Sequence, residues 1–216
     1  GMVLLEGTPY DQGRSIYFDG ITATYRDEND SLTLFGFYND YKDKTVFIND
    51  QNLRLRRGDV GVAGAYWTHN WAAPLNTDLY YMYVQIDDDR VDAIDAIERN
   101  HALDENAELN IFGIRLFGKA HDQIDYSLEV AKQMGEYTEM ADFTGMMVDA
   151  RLNLTAPKDT VFDPSLLLQY TYWSGDDLDS ADEIEGWHPA FAEYPIFREE
   201  LLAILFNGNW TNMSQY

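Results

Sequence analysis

Apolar and polar residues alternate along most of the chain. A period of two is the mark of strands whose two faces meet different surroundings. Across residues 15–28, Ile21, Ala23 and Tyr25 alternate with Thr22, Thr24 and Arg26. The polar turn Asp27-Glu28-Asn29-Asp30-Ser31 then leads into Leu32-Thr33-Leu34-Phe35-Gly36-Phe37-Tyr38, which predicts a hairpin. Further strands are predicted over residues 59–71, with Val60, Val62, Gly64 and Tyr66 on one face, and over 79–87, where Tyr80, Met82, Val84 and Ile86 alternate with Tyr81, Tyr83 and Gln85. Residues 72–78 read as a loop by composition. Strands resume at 109–120, 124–133, 145–155 and 166–173. In the second of these, Ile124, Tyr126, Leu128 and Val130 oppose Asp125, Ser127, Glu129 and Ala131. One segment departs from the pattern: Val91, Ile94 and Ile97 lie three apart among charges, predicting a short amphipathic helix within 90–107.

The expected fold is therefore all-β, antiparallel and up-and-down, with roughly eight long strands joined by consecutive turns. The predicted strands run to about 9–13 residues, against about 5–6 for an average soluble strand and about 9–11 for a tilted strand crossing a bilayer. Length thus points to an outer-membrane-type β-barrel or an incomplete portion of one, in which the polar face lines a lumen and the apolar face meets lipid. A soluble sandwich or barrel with a wet outer face shares the same alternation, and on the pattern alone it is the favoured reading. Aromatic residues favour the membrane reading, because Tyr17, Tyr38, Trp67, Trp71, Tyr170 and Trp173 fall near strand ends, where interfacial girdles lie. So does the alternation of short turns near Asn29, His121 and Pro157 with long loops near 43–58, 90–107 and 174–195. Two strands complicate the picture. Phe35 and Phe37, and also Ala63 and Trp67, place apolar groups on the expected lumen face, which predicts a partly aromatic lumen or a partner packed against them.

Charge narrows the partners. The 216 residues carry 38 acidic and 15 basic side chains, a formal net charge of -23. Phosphate neutralisation needs the opposite balance, so nucleic-acid binding is excluded, as is a basic patch on an anionic membrane surface. Apolar residues make up 45% and aromatics 14%, enough to collapse into a core. The absence of cysteine removes disulfides, thiolate zinc sites and cysteine nucleophiles. No apolar run is long enough for a membrane-spanning helix. Gly1 ahead of Met2 resembles a protease scar, so the numbering is expected to begin inside a longer reading frame.

Enzymatic constellations are lacking. His69, His101, His121 and His188 are scattered, without metalloprotease spacing, and there is no nucleophile elbow or phosphate-binding glycine loop. The expectation is a non-enzyme. Asp176, Asp177, Asp179 and Asp182, with Glu183, offer oxygens for Ca²⁺, although their spacing is not that of an EF-hand and a solvated acidic loop is the favoured reading. No other cofactor is expected.

From Tyr172 onwards the chain resembles the bacterial alginate-export family of outer-membrane porins. The residues that carry the likeness are Tyr172-Trp173-Ser174-Gly175-Asp176-Asp177, Glu185-Gly186-Trp187-His188-Pro189-Ala190-Phe191, Tyr194-Pro195, Glu199-Glu200-Leu201 and Asn209-Trp210-Thr211-Asn212. Earlier, Phe18-Asp19-Gly20-Ile21 and Asp78-Leu79-Tyr80-Tyr81-Met82-Tyr83 resemble the family's middle strands. The resemblance implies one barrel-type domain over residues 1–216, supplying a middle portion of a longer barrel in the bacterial outer membrane. It implies passive passage or export of small solutes or anionic polysaccharide through a charged lumen. By parity, Arg26, Arg115, Lys119, Glu129, Asp149 and Arg151 are the expected pore-lining residues. Outer-membrane lipid is then a partner, and unpaired edges predict edge-to-edge self-association. The alternative function is a soluble carbohydrate-binding module in which Trp67 and Tyr81 stack on sugars.

Overall fold

In the computed structural model, residues 19–39, 42–43, 53–54, 59–72, 74–87, 107–138, 141–157, 160, 162–177, 179–180, 182–187 and 213–215 are described. In chain order the elements are β1 (Asp19–Arg26), β2 (Asp30–Asn39), β3 (Lys42–Asp43), β4 (Leu53–Arg54), β5 (Asp59–Ala72), β6 (Leu75–Asp87), β7 (Ala107–His121), β8 (Ile124–Thr138), β9 (Ala141–Phe143), β10 (Met146–Thr155), β11 (Ser165–Trp173), β12 (Glu183–Ile184) and β13 (Met213–Gln215). The large sheet runs β1-β2-β5-β6-β7-β8-β10-β11-β13. Every neighbouring pair along it is antiparallel. β1 and β13 end the order, so among the described residues the sheet stays open. The two long central strands, β7 and β8, have 15 residues each, well beyond an ordinary soluble strand.

Turn chemistry sets the register. Between β1 and β2, Asp27 Oδ1 accepts from the backbone N–H groups of Asn29 (3.0 Å) and Asp30 (2.9 Å). Those two bonds close the turn and hold the Asp27 carboxyl below its usual range. Short connections of this kind also join β5 to β6 and β7 to β8; the β10–β11 connection over 156–164 lies at the same end, and the β2–β5 and β6–β7 connections at the opposite end of the sheet. β6 begins at Leu75, so the loop expected over 72–78 is mostly strand. Its polar residues look loop-like because they satisfy one another across the sheet. Thr68 donates to Asp78 (2.8 Å), Trp71 to Thr77 (3.0 Å) and Asn76 to the Phe117 carbonyl (3.4 Å). The helix expected within 90–107 lies outside the described residues, apart from Ala107, which opens β7.

Register divides the side chains into two unlike faces. One carries Ile21, Leu34, Leu79, Phe112, Ile114, Leu128, Leu166 and Leu168, all exposed. Among the described residues this face holds no charge between its ends: Asp30 and His69 lie at the short-turn end, and Glu108 and Lys132 towards the other. At the short-turn end the His69 ring meets Trp67 at a tilt and Trp71 edge-on, with Trp67 Nε1 donating to Asp30 (2.8 Å). The other face is buried over its centre and exposed towards β1 and at Lys119 and Leu167. Towards the long-loop end it holds the core of Val60, Val62, Met82, Val84, Leu109, Ile111, Ala131, Met147 and Trp173. A small cap closes over that core. At Gly135, whose φ of +155° suits glycine, β8 leaves β7 and pairs with β9 instead. β9 pairs in parallel with β12, and this arrangement buries Phe143 and Trp187 in the core cluster.

The buried face also explains the aromatic residues that fitted poorly. Phe37 lies across Gly20, Phe35 across Gly64 and Tyr80 across Gly113, each an in-register pair on neighbouring strands. A Cβ on any of the three glycines would strike the ring above it. Rings laid flat over bare backbone shield it and fix the register. Phe35 and Phe37 thus stand where parity put them, stacked at 5.3 Å. Ala63 and Trp67 do not: they pair with Tyr83 and Leu79 on the exposed face, and Val60, Val62, Gly64 and Tyr66 are the buried set. Both faces of β5 are largely apolar, so its own alternation cannot choose between them.

Candidate functional site

One lateral row of the buried face is polar from β1 to β11. In register, Arg26 pairs with Ser31, Ser31 with Thr68, Thr68 with Asp78 and Asp78 with Arg115. The row continues through Glu129, Asp149 and Thr171. Residues directly opposite on adjacent strands project from the same face, so an alternating sequence in each strand becomes one transverse stripe.

Three buried carboxylates anchor it. Asp78, 2% exposed, accepts from Tyr66 Oη (2.6 Å), Thr68 Oγ1 (2.8 Å) and Arg115 Nη1 (3.3 Å). Arg115 also donates through Nε to Ser127 Oγ (3.0 Å), and its guanidinium lies 4.3 Å over the Phe117 ring. Glu129 accepts from Tyr80 Oη at 2.8 Å, the hydroxyl reaching it because the ring lies flat over Gly113. Tyr66 and Tyr80 stack within 1° of parallel at 5.6 Å, linking the Asp78 and Glu129 groups. Asp149 accepts from Arg151 Nε (2.7 Å), Gln169 Nε2 (2.8 Å) and Thr171 Oγ1 (2.7 Å). Glu129 and Asp149 are directly opposed, which would repel in isolation, so the arginines beside them are part of what makes the row tenable.

All six residues singled out by parity lie on this face. Arg26, Arg115, Glu129 and Asp149 are in the row itself, while Arg151 is one step along β10 from Asp149. Lys119 lies further along β7, opposite an exposed Asp125 at 4.0 Å. Sequence reasoning missed Asp78, Tyr66, Tyr80, Gln169 and Thr171. Asp78 was hidden by its loop-like neighbours, although it continues the parity of Tyr80, Met82 and Val84. The tyrosines were counted as apolar, and only the register shows that their hydroxyls reach carboxylates.

The acidic segment after β11 is organised differently. Asp176 Oδ1 accepts from the Glu185 N–H (3.0 Å), Glu185 Oε2 from the Asp177 N–H (2.9 Å) and Asp177 Oδ1 from the Asp179 N–H (3.0 Å). These carboxylates cap backbone donors. Among the described residues no group of three or more His, Asp or Glu gathers to hold a metal ion. The Ser-Gly-Asp-Asp and Gly-Trp elements meet here. Ser174 Oγ donates to the Glu185 carbonyl (2.6 Å), and the Trp187 N–H donates to the Ser174 carbonyl (3.0 Å). Together they fasten the cap to the start of β10, where the Met146 N–H donates to Ser174 Oγ (2.8 Å).

No helix among the described residues is long and apolar enough to cross a membrane, which says nothing of crossing by strands. A sequence model described as alginate export matches residues 18–212. No curated protein and no solved structure matches the chain.

Proposed function

Because the chain belongs to the alginate export family, whose general role is export or porin function at the outer membrane, we propose that it forms the wall of a passive channel with a charged lumen. The buried face is the lumen side, and the exposed apolar face meets outer-membrane lipid. The observation that carries this reading is the pairing of an apolar face, uncharged between its ends, with a transverse polar row on the opposite face of the same long strands. Arg26, Arg115, Lys119, Glu129, Asp149 and Arg151 line the path, with Asp78 added to them. Cations and carboxylates fixed at close quarters create a local field that orients solute and water as they pass. No bond is made or broken. The cap formed by β9, β12 and Trp187 narrows the long-loop end of the path.

The strands form one barrel-type domain, and the edges of β1 and β13 complete their ladders by pairing with further strands or with a second copy. Conductance of the gene product in planar bilayers tests the channel, and silence under voltage refutes it. Arg115→Gln and Arg151→Gln leave Asp78 and Asp149 without their cations and shift ion selectivity towards cations. Unchanged selectivity removes both arginines from the lumen.

A further inference from the structure

The charges on the buried face balance. Among the described strands its cations are Arg26, Arg115, Lys119 and Arg151, and its carboxylates are Asp78, Asp125, Glu129 and Asp149. Three of the four cations already face a carboxylate: Arg115 with Asp78 at 3.3 Å, Arg151 with Asp149 at 2.7 Å and Lys119 with Asp125 at 4.0 Å. A wall built to draw a polyanion needs guanidinium groups with charge to spare, and those of Arg115 and Arg151 are engaged. The remaining polar lining is neutral and hydroxyl-rich, including Thr24, Ser31, Thr33, Thr68, Ser127 and Thr171.

Two polar atoms on this face complete the argument. Arg151 Nη2 and Gln169 Oε1 are buried and have no partner within the described protein. They belong to residues directly opposed on β10 and β11. The Gln169 amide is oriented by Asp149, because Nε2 donates to Asp149 Oδ2 and turning it over would set its oxygen against the carboxylate. One unused donor and one unused acceptor thus belong to opposed residues. A carboxylate can only accept, and would meet Gln169 Oε1 and Asp149 with like polarity. A cation would meet Arg151. A hydroxyl accepts from Nη2 and donates to Oε1 at once.

The geometry points to a neutral polyhydroxylated solute, a sugar or short uncharged oligosaccharide, as the class this wall passes, with a hydroxyl subsite at Arg151 and Gln169. This rests on the channel reading, and the test separates the two. The gene product is reconstituted in liposomes and planar bilayers, and neutral maltooligosaccharides are compared with oligouronates of matched length. Neutral sugars are expected to enter several-fold faster, and the anion-to-cation permeability ratio to stay within about twofold of unity. Arg151→Lys keeps the charge but removes Nη2, and lowers sugar-dependent current block several-fold. Asp125→Asn, at the exposed pair, frees Lys119 and introduces anion preference without disturbing the buried row. Current block by oligouronates at lower concentration than by neutral sugars, with anion preference in the unmodified protein, overturns the inference and leaves the channel standing. Unaltered sugar block in Arg151→Lys overturns the subsite. Absence of both conductance and uptake overturns the channel itself and the inference with it.

Discussion

Replacing Gly113 by alanine adds a single methyl group directly beneath the Tyr80 ring. The ring must lift from β7, and its hydroxyl then leaves Glu129, a carboxylate only 2% exposed. The parallel stack with Tyr66 opens as well. A hydrogen bond to a charged group is worth about 1.5–3 kcal/mol. A favourable ring pair adds about 0.5–1.5 kcal/mol. Against these stands a relief of roughly 0.5–1 kcal/mol from removing a glycine from a strand interior. The balance is a loss of about 1–4 kcal/mol. The assay is equilibrium urea unfolding in detergent micelles or liposomes, run as a double-mutant cycle with Tyr80→Ala. With the ring gone, Gly113→Ala should cost nothing or stabilise slightly, giving a coupling of about 2 kcal/mol or more. An equal cost in both backgrounds would refute the account, because the methyl group would then be acting on something other than Tyr80.

Three further outcomes follow from the same geometry. Ile114→Arg, on the exposed face, should impair insertion into liposomes by about 2–4 kcal/mol near the bilayer midplane, whereas on a water-facing surface it would be harmless; unimpaired insertion counts against the lipid-facing assignment. In Asp27→Asn the turn keeps an acceptor but loses the charge. The folded carboxyl lies below its usual range, so its contribution is present above the ordinary carboxylate pKa and fades as pH falls through the folded value. The difference in urea midpoint between the two proteins should accordingly be largest near neutral pH and vanish in acid; a difference constant with pH would rule this out. Trp187→Ala removes an indole only 3% exposed and should cost about 3–5 kcal/mol of local stability in the cap, read as faster proteolysis within residues 174–187 while the long strands keep their protection.

The all-β architecture was legible wherever one face of a strand is polar. In β7, β8 and β10 the positions of Arg115, Glu129, Asp149 and Arg151 followed from parity alone, since charged residues at every second place leave one assignment of faces. The β1–β2 turn was equally clear, because Asp27 and its neighbours carry their own turn chemistry. β5 defeated the same reasoning. Ala63 and Trp67 compete with Val62 and Tyr66, and only pairing with β6 through Thr68 and Asp78 settles which set is buried. The cap was illegible for another reason. It joins Asp142 and Phe143 to Glu183 and Ile184 by a parallel bridge between segments about 40 residues apart, which no local period encodes. The aromatic–glycine pairs lie between these cases: each residue is visible in the sequence, but their partnership exists only once neighbouring strands are in register.

Those pairs bear on the width of any passage beside them. A tyrosine or phenylalanine standing upright projects its whole length from a sheet, whereas a ring lying on backbone rises by roughly one contact distance, about 3.5–4 Å. Gly20, Gly64 and Gly113 therefore let β1, β5 and β7 accept large aromatic residues without thickening the wall. In a tube of this build the clear cross-section is governed by the smallest residues on the wall, since each one decides whether a neighbour reclines or stands. In the proposed channel, enlarging any of the three glycines would tip a ring towards the lumen and tighten the path from within the wall.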